Sequence, residues 1–325
     1  MHAWLCETLE GVDALTWKEL PTPAPAPGEV RIAIKAASLN FPDLLTVRGQ
    51  YQIKPPLPFV PGSEFSGVVD ALGAGVAGLA PGQPVAAIGA SGGFGTHACV
   101  DAARTLALPS GFDIVDGAAF AFTYGTSYHA LLDRAQLQPG ETVLVLGAAG
   151  GVGSAAVQIA KAAGARVVAA ASSDAKCAFC KTLGADATIN YTDTPLRDAL
   201  KTLTDGKGLD VVYDPVGGAF AEPALRSIAW RGRYLVIGFT QGTIPALPLN
   251  LPLLKGASLV GVYWGEFVRR EPRAHAAAMK QLLQWYAQGL VKPAIEDPLP
   301  MSEIRTAYAR MASRQVHGKV VLVNA

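Results

Sequence analysis

A glycine-rich segment in the middle of the chain has the spacing of a dinucleotide-binding loop. Residues 146–154 read LGAAGGVGS, and Gly147, Gly150 and Gly153 are spaced three apart. The segment follows a continuous apolar run at 142–146 and opens an Ala-rich stretch of helical character. Small residues between a buried strand and a helix let the backbone turn sharply and approach a pyrophosphate, whose charge rests on the helix N-terminus. This context therefore predicts a dinucleotide site.

The end of the next predicted strand indicates which dinucleotide this loop would hold. Proteins that bind NAD place an acidic residue there, about 20 residues after the loop, to hold the ribose hydroxyls. Ala171 stands at that position and leaves room for a 2′-phosphate. Ser172 and Ser173 can donate hydrogen bonds to such a phosphate, and Lys176 can pair with it as a point charge. The sequence predicts NADPH over NADH, with Asp174 as a residue that could point into the same pocket.

The cysteines and histidines form no motif typical of a metal site or a nucleophile. Cys177 and Cys180 make a C-x-x-C, but they fall three residues apart in a predicted helix and no second pair follows. The five histidines give no Ser-His-Asp arrangement, so hydrolysis through an activated nucleophile is not predicted. Four unevenly spaced cysteines do not make a disulfide framework, which favours a reducing compartment.

Two kinds of secondary structure are expected to position these residues. The first third alternates apolar and polar residues, as in 30–36 (VRIAIKA), between Gly- and Pro-rich loops, and this predicts a β domain. From residue 141, apolar strands at 142–146, 166–170, 187–190, 209–213, 233–237 and 258–262 alternate with helical segments. That alternation predicts an α/β fold with a doubly wound parallel sheet. A last strand at 319–323 is expected to rejoin the β domain.

Composition excludes several classes of protein. Of the 325 residues 50% are hydrophobic and 16% are charged, which is incompatible with an intrinsically disordered chain. The 27 basic and 26 acidic residues leave a net charge of +1 without a basic run, which argues against a nucleic-acid partner. Neither a signal-peptide pattern nor a span of about 20 apolar residues is evident. We therefore expect a cytoplasmic protein without a membrane partner.

Five short motifs together resemble the medium-chain dehydrogenase/reductase superfamily. They are 38–43 (SLNFPD), 48–51 (RGQY), 61–67 (PGSEFSG), 147–153 (GAAGGVG) and 318–322 (GKVVL), and they run in order along nearly the whole chain. The branch they resemble most is that of the zinc-free NADPH:quinone oxidoreductases, the zeta-crystallin-like family. The resemblance implies a GroES-like β domain formed by both chain ends, residues 1–120 and 266–325. A Rossmann NADPH-binding domain, residues 121–265, would be inserted between them.

The zinc ligands of related alcohol dehydrogenases are missing from this sequence. Those enzymes carry a Cys in the loop that here reads SLNFPD, and a Gly-His-Glu motif where this chain has Ser63 in place of the His. Zinc prefers thiolate and imidazole ligands, so the loss of both removes the site. Only Cys99 lies between residues 89 and 108, so the four-cysteine structural lobe is absent as well. No metal is predicted.

The resemblance implies a reaction that needs no Lewis acid, namely hydride transfer to a quinone or a related α,β-unsaturated carbonyl. It puts Asn40 and Tyr51 beside the nicotinamide and the substrate, and Thr126 near the carboxamide or the reacting oxygen. The Asn40 amide and the Tyr51 hydroxyl are each able to donate a hydrogen bond to an oxygen. Leu45 stands where many family members carry a second tyrosine.

Further cofactor contacts follow from the same resemblance. Gly150, Gly151 and Val152 would line the pyrophosphate, flanked by Gly147 and Gly153. Tyr191 would stack on the adenine side, and Arg314 would reach the 2′-phosphate. At the ends of the later strands the expected residues are Val216, Gly217, Gly238, Phe239, Tyr263 and Trp264.

The sequence is also compatible with two other functions, and it predicts one assembly state. An enoyl-thioester reductase applies the same fold and hydride step to an acyl-CoA, and Arg269, Arg270 and Arg273 could bind the CoA phosphates. Alternatively, the protein could bind NADPH as a sensor, a structural protein or an RNA binder with little turnover. The strand 258–262 (SLVGV) would be an exposed sheet edge, which predicts a homodimer formed through that strand.

Overall fold

Both ends of the chain build one unit and its middle builds another. The structure, a computed structural model, describes residues 1–324. A terminal unit comprises residues 1–122 together with those from 293 onward, and a central unit comprises residues 123–292.

The terminal unit is mainly β. Its strands are β1 (His2–Leu5), β2 (Thr16–Glu19), β3 (Glu29–Ser38), β4 (Glu64–Leu72), β5 (Pro84–Ile88), β6 (His97–Asp101), β7 (Thr105–Ala107), β14 (Leu299–Pro300) and β15 (Val321–Val323). Its helices are α1 (Phe41–Thr46), α2 (Ile114–Gly117) and α11 (Ile304–Ala312), with 3-10 turns at Val12–Ala14, Ala102–Arg104 and Met301–Glu303.

The long strand β3 organises this unit. The sheet order is β14-β15-β3-β4-β5-β7, β6 pairs with β3 as well, and β1 and β2 form a separate antiparallel pair. Alternate residues of β3, including Val30, Ile32 and Ile34, are buried, as the period of two in the sequence predicts. Register brings Ser38, the last residue of β3, opposite Glu64 on β4 and Val321 on β15. Three chain segments distant in sequence therefore meet at the end of β3.

The central unit alternates strands and helices. Its strands are β8 (Thr142–Leu146), β9 (Arg166–Ala171), β10 (Ala187–Asn190), β11 (Leu209–Asp214), β12 (Ile228–Val236) and β13 (Ser258–Gly261). Its helices are α4 (Gly151–Ala162), α5 (Asp174–Thr182), α6 (Leu196–Leu203), α7 (Ala221–Arg226), α8 (Asn250–Lys255), α9 (Trp264–Arg270) and α10 (Pro272–Ala287). Helix α3 (Ala121–Tyr128) enters it and runs into a π-helical segment, His129–Arg134, and a 3-10 turn occupies Gly218–Phe220.

All six strands of the central sheet are parallel, in the order β10-β9-β8-β11-β12-β13. Counted along the chain this is 3-2-1-4-5-6, so the direction of winding reverses between β8 and β11. Residues Val143 to Leu146 of β8 are fully buried, as expected for a strand covered on both faces. The predicted α/β architecture is confirmed, with both chain ends in the β unit and a Rossmann sheet formed by the chain between them.

The second boundary between the units differs from the predicted position at 265/266. Residues 266–292 belong to the central unit. Helix α10 buries Met279 and Leu282, the Trp285 ring lies 5.8 Å from that of Tyr128, and the Gln158 amide donates to the Lys292 carbonyl at 3.0 Å. Long-range apolar contacts that sequence periodicity does not reveal attach this helix to the central unit. Within residues 1–324, no helix has both the length and the apolar character needed to cross a membrane.

Candidate functional site

The glycines after β8 are required by their surroundings. Gly147 has φ +57°, and a Cβ added there would lie 2.8 Å from Cγ2 of Val216. A Cβ added at Gly153 would lie 2.2 Å from the Gly147 carbonyl oxygen. Both distances are shorter than van der Waals contact, so only glycine permits the sharp turn and the close approach of α4 to it.

Helix α4 begins with its N-terminus open. Gly150 precedes it in extended conformation, and no side chain of residues 1–324 caps it. The first intrahelical hydrogen bond runs from the Ser154 amide to the Gly150 carbonyl at 2.8 Å, so the preceding amides of Gly151, Val152 and Gly153 have no acceptor within the helix. A Cβ at Gly150 would meet only the Gly147 carbonyl oxygen, at 3.4 Å. The turn therefore offers amide donors, the positive end of the helix dipole and space for an anion.

The residues predicted to bind a 2′-phosphate gather at the end of β9. Ala171 ends the strand and is buried. The Lys176 ammonium donates to the Ser172 hydroxyl at 3.2 Å, so these two side chains are neighbours. The Ser173 hydroxyl accepts the Lys176 backbone N–H at 3.3 Å and so caps α5, a role that the sequence analysis did not assign. The Asp174 carboxylate accepts a hydrogen bond from the Asn190 amide at 3.0 Å, which commits it to the end of β10.

Tyr191 follows β10 beside this group. Its backbone N–H donates to the Ala171 carbonyl at 3.1 Å, and its ring lies 4.3 Å from that of Phe220. The Thr192 hydroxyl donates to the Ser172 carbonyl at 3.0 Å. Tyr191 is half-buried and presents an aromatic surface at the same sheet edge as Ser172.

A buried carboxylate that the sequence analysis missed shapes the crevice loop after β11. Asp214, 3% exposed, accepts the backbone N–H groups of Val216 and Gly217, each at 2.8 Å, and the hydroxyl of Tyr234. Burial and the neighbouring Asp214 charge raise the pKa of Tyr234, so this phenol stays protonated and donates. The sequence signal for this turn was the motif DPVGG at 214–218, in which the aspartate lies two residues before the first backbone N–H that it accepts.

The loop after β12 closes over the Asp214 turn. A Cβ added at Gly217, where φ is +67°, would lie 2.9 Å from Cδ1 of Phe239. The backbone N–H of Gln241 donates to the Val216 carbonyl at 3.0 Å. Gly238 and Phe239 are half-buried, and the predicted residues Val216, Gly217, Gly238 and Phe239 lie together in the contacting loops after β11 and β12.

Helix α3 is joined to the start of α4 through Ser127, a second residue that the sequence analysis missed. The fully buried Ser127 hydroxyl donates to the Val152 carbonyl and lies 2.9 Å from the Tyr213 hydroxyl. Since a serine has one O–H to donate, Tyr213 is the donor in the second hydrogen bond. The neighbouring Thr126 is 7% exposed. These contacts fix Thr126 relative to the glycine turn.

Trp264 packs against the same helix. A Cβ added at Gly125 would lie 2.8 Å from Cζ2 of Trp264, so this glycine permits the contact. Trp264 is buried, whereas Tyr263 is 54% exposed. Behind Trp264, the His129 ring stacks on Phe267 at 3.9 Å, and burial lowers the pKa of His129. Of the predicted pair, Trp264 packs against α3 and Tyr263 is exposed to solvent.

In the terminal unit, Asn40 belongs to a buried polar cluster. The Lys319 ammonium donates to the Asn40 Oδ1 at 2.7 Å, to Glu64 Oε2 at 3.1 Å and to the Leu39 carbonyl at 3.1 Å. Glu64 Oε2 also accepts the Ser38 hydroxyl at 2.7 Å and the Asn40 Nδ2 at 3.0 Å. All these polar side chains are at most 5% exposed. The cluster follows directly from the register at the end of β3, and it engages Asn40 on both sides of its amide.

A second carboxyl group lies close to this cluster. Asp43, in the first turn of α1, accepts the Asn40 backbone N–H at 2.8 Å. Burial raises the pKa of Asp43 to about 6, against the opposing effects of that hydrogen bond and of the Lys319 charge. The remaining predicted residues of this unit are more open: Tyr51 is half-buried in the loop after α1, and Arg314 is exposed after α11 with φ +56°.

The positions that would hold zinc in related enzymes are occupied by other interactions. Glu64, after Ser63, is paired with Lys319 instead of facing a cluster of ligands. Within residues 1–324, no three His, Cys, Asp or Glu side chains are grouped as metal ligands. Cys177 and Cys180 are both buried in α5 as thiols, and burial raises the pKa of Cys180 to about 12. These side chains suit packing better than thiolate ligation.

Comparison with known proteins agrees with this geometry. Residues 26–110 match the family described as alcohol dehydrogenase GroES-like domain, and residues 151–287 match the one described as zinc-binding dehydrogenase. Quinone oxidoreductase-like protein 2 of Rattus norvegicus is 38% identical over 322 residues, which cover 99% of this chain and 91% of the relative.

Two solved structures extend the comparison. The quinone oxidoreductase of Thermus thermophilus, described with its NADPH complex, is 34% identical, has a TM-score of 0.87 and is covered, like this chain, over 100% of its length. The Escherichia coli quinone oxidoreductase complexed with NADPH is 27% identical, with a TM-score of 0.92 and 100% coverage of both chains. The resemblance in the sequence motifs is confirmed. The chain belongs to the medium-chain dehydrogenase/reductase superfamily, among the quinone oxidoreductase-like proteins.

Proposed function

We propose that this oxidoreductase binds NADPH and reduces a quinone or a related α,β-unsaturated carbonyl without zinc. The observation that carries the proposal is the group at the end of β9, where Ala171 replaces an acidic residue and Lys176 lies against Ser172. When bound, NADPH supplies a hydride from its nicotinamide ring.

The open N-terminus of α4 binds the pyrophosphate in this proposal. The amides of Gly151, Val152 and Gly153 supply donors, and the glycines at 147 and 153 keep the backbone close. Serine hydroxyls and an ammonium group suit a 2′-phosphate dianion, whereas Asp174 is held by Asn190. The NADPH complexes of the Thermus and E. coli quinone oxidoreductases support this choice of cofactor.

Positioning of the acceptor is assigned to Asn40, Tyr51 and Thr126. Reduction places negative charge on the carbonyl oxygen of the acceptor, and N–H or O–H donors stabilise that charge. Asn40 keeps a second Nδ2 hydrogen beyond the one it gives to Glu64, and Tyr51 carries a hydroxyl on a half-buried ring. Quinones and enones need no stronger electrophilic activation than such donors provide.

The test is NADPH oxidation by chelator-treated protein, with NADH in parallel, against ortho- and para-quinones, simple enones and enoyl-CoAs. We expect chelator-insensitive turnover of quinones with a preference for NADPH. Turnover confined to enoyl-CoA would replace the proposal by the enoyl-thioester reductase, and NADPH binding without turnover of any acceptor would replace it by a sensor or structural role.

One contact favours the quinone over the acyl-CoA. Arg269 and Arg270, which could bind CoA phosphates, both donate to the Glu266 carboxylate. These two arginine hydrogen bonds lower the pKa of Glu266 to about 2, so the carboxylate stays charged and offsets the arginines. The remaining candidate, Arg273, is exposed at the start of α10.

We also propose that the protein is a homodimer that pairs β13 across a twofold axis. In residues 1–324, β13 pairs on one side only, with β12, and Leu259 on it is 39% exposed. Nearby, Trp230 on β12 is 71% exposed and Leu253 on α8 is 78% exposed. An open edge with apolar neighbours is normally covered. Light scattering at micromolar concentration should give twice the chain mass, and Leu259→Lys should give the monomer; a monomeric wild type would refute the dimer.

A further inference from the structure

The Lys319 ammonium has an acceptor for each of its three hydrogens. They are the Leu39 carbonyl, Asn40 Oδ1 and Glu64 Oε2, at 3.1, 2.7 and 3.1 Å. Lys319 is 5% exposed and Glu64 is fully buried, so the ion pair is removed from water. Buried ion pairs contribute little to stability on average, because desolvation offsets the attraction between the charges. Stability alone is therefore a weak reason for this pair to be there.

The ion pair determines which way the Asn40 amide faces. An ammonium group can only donate, so the atom 2.7 Å from Lys319 must be the amide oxygen. A carboxylate can only accept, so the atom 3.0 Å from Glu64 must be the amide nitrogen. A flipped amide would set a donor against the ammonium and an acceptor against the carboxylate. Both contacts would then be repulsive, in surroundings of low dielectric.

An amide held in one orientation can offer a ligand only some of its hydrogen-bonding groups. One of the two lone pairs on its oxygen accepts from Lys319, and one of its two Nδ2 hydrogens is donated to Glu64. The donor that remains for a ligand is the second Nδ2 hydrogen. An ammonium bonded to the oxygen also draws electron density from the amide and strengthens that donor, as hydrogen-bond chains do in general.

We propose that the Glu64–Lys319 ion pair is a positioning device that locks the Asn40 amide in the orientation that offers a ligand an Nδ2 hydrogen as donor. This inference rests on the proposed function, in which Asn40 donates to the substrate oxygen that gains negative charge. Lys319 and Glu64 act through Asn40 and are positioning residues. A reversed amide would instead present its oxygen and repel that charge.

The Glu64 carboxylate is itself held in place by hydrogen bonds from other parts of the terminal unit. Its Oε1 accepts the backbone N–H of Phe122 at 2.8 Å, at the first turn of α3, and its Oε2 accepts the Ser38 hydroxyl. Glu64 is the first residue of β4 and lies opposite Ser38 on β3. The carboxylate is therefore held by a strand pair and by a helix start, independently of Asn40.

The variant that tests the proposal is the double substitution Glu64→Gln with Lys319→Met, which removes both charges together. Removing Lys319 alone would leave a buried carboxylate without its partner and could unfold the protein. The matched control is Asp186→Asn with Lys161→Met, because that pair is also a lysine–carboxylate ion pair, bonded at 2.9 Å, but lies on the surface of the central unit. Circular dichroism and thermal unfolding establish that each double variant is folded.

The first readout needs no cofactor. The Asn40 side-chain amide signal is identified in ¹H–¹⁵N spectra of the apo protein by its loss in Asn40→Ala. We expect its hydrogens to exchange at least about tenfold faster in the Glu64→Gln, Lys319→Met variant than in wild type or the control, because both hydrogen bonds that hold the amide are weakened. Unchanged exchange in the folded variant would overturn the locking of the amide.

The second readout is kinetic. We expect kcat for quinone reduction to fall about 10- to 100-fold in the charge-free variant, with KM for NADPH within about twofold. Removing such a donor costs about 100- to 1000-fold, and the variant frees the Asn40 donor to turn without removing it. An unchanged kcat in the folded variant would overturn the role in catalysis. Wild-type protein that turns over no acceptor would refute the proposed function, while the exchange experiment would still decide whether the ion pair locks the amide.

Discussion

Two helices of the central unit begin about 20 residues apart in the chain and handle their first amides in opposite ways. Helix α5 closes its own N-terminus, because the Ser173 hydroxyl accepts the Lys176 N–H and Asp174 adds a negative charge to the first turn. Helix α4 starts from glycine, with no cap from residues 1–324 and no acidic residue in its first turn. A helix N-terminus is thus available to an anion only where no polar side chain of the protein caps it.

The largest effect on this contrast should come from Gly153→Ala. The added Cβ would lie 2.2 Å from the Gly147 carbonyl oxygen, so the turn must move away from α4. We expect about 3 kcal/mol less unfolding free energy and NADPH binding weakened more than about 100-fold. Chemical denaturation and cofactor fluorescence measure the two quantities. Gly265→Ala, whose Cβ would meet Tyr263 at an ordinary 3.6 Å, is the control and should cost almost nothing.

Gly150→Asp should make the start of α4 resemble that of α5. The carboxylate would cap the helix and complement its dipole, so the melting temperature should stay the same or rise slightly. NADPH binding should weaken about 100-fold, because the carboxylate would repel the pyrophosphate. Titration calorimetry should therefore show weaker NADPH binding, whereas thermal unfolding should show an unchanged or slightly higher melting temperature. Unweakened NADPH binding would mean that this N-terminus is not the phosphate site.

Lys176→Met tests whether the first turn of α5 binds the 2′-phosphate, as distinct from the pyrophosphate at α4. Loss of the charge beside Ser172 should weaken NADPH binding about tenfold and leave NADH binding unchanged, because only NADPH carries the 2′-phosphate. Lys181→Met, in the last turn of the same helix, is the matched control. Equal weakening of NADPH and NADH would contradict the assignment of Lys176 to that phosphate.

The smallest expected effect is that of Ser173→Ala. Removal of the cap should lower the unfolding free energy by about 1 kcal/mol. Ser172→Ala, which removes a hydroxyl from an exposed residue that caps no helix, should lower it by a few tenths at most. Urea unfolding distinguishes the two; equal losses would show that the Ser173 hydroxyl does not stabilise α5.

The sequence was sufficient to predict the parts of the molecule that local pattern controls. The glycine spacing at 147–153 and the apolar strands that flank it encode a turn and a parallel sheet within some 30 residues, and the structure has both. Ala171 and Lys176 could be located because a strand end and the next helix turn adjoin in sequence. Ser173, in contrast, was given a ligand-binding role from its residue type, although its hydroxyl also caps α5.

The parts that were missed depend on residues far apart in the chain. Ser127 meets Tyr213 across 86 positions, and Glu64 meets Lys319 across 255. Ser127 carries no local signal, and although Glu64 and Lys319 both lie in family motifs, nothing local indicates that they pair until the fold joins them. The boundary at 292 was missed for the same reason, because α10 reveals its attachment only through tertiary packing.

The dependence of the terminal unit on β15 has a consequence for the order in which the protein folds during synthesis. Residues 123–292 form a continuous unit, so it can fold while the ribosome is still making the last strands. Glu64 is made early, yet its counter-charge, Lys319, is made 255 residues later. The Glu64 carboxylate therefore has no counter-charge from Lys319 until that residue has been made. A chain cut short before Lys319 would therefore contain every residue of the central unit but would leave the Glu64 carboxylate without its counter-charge.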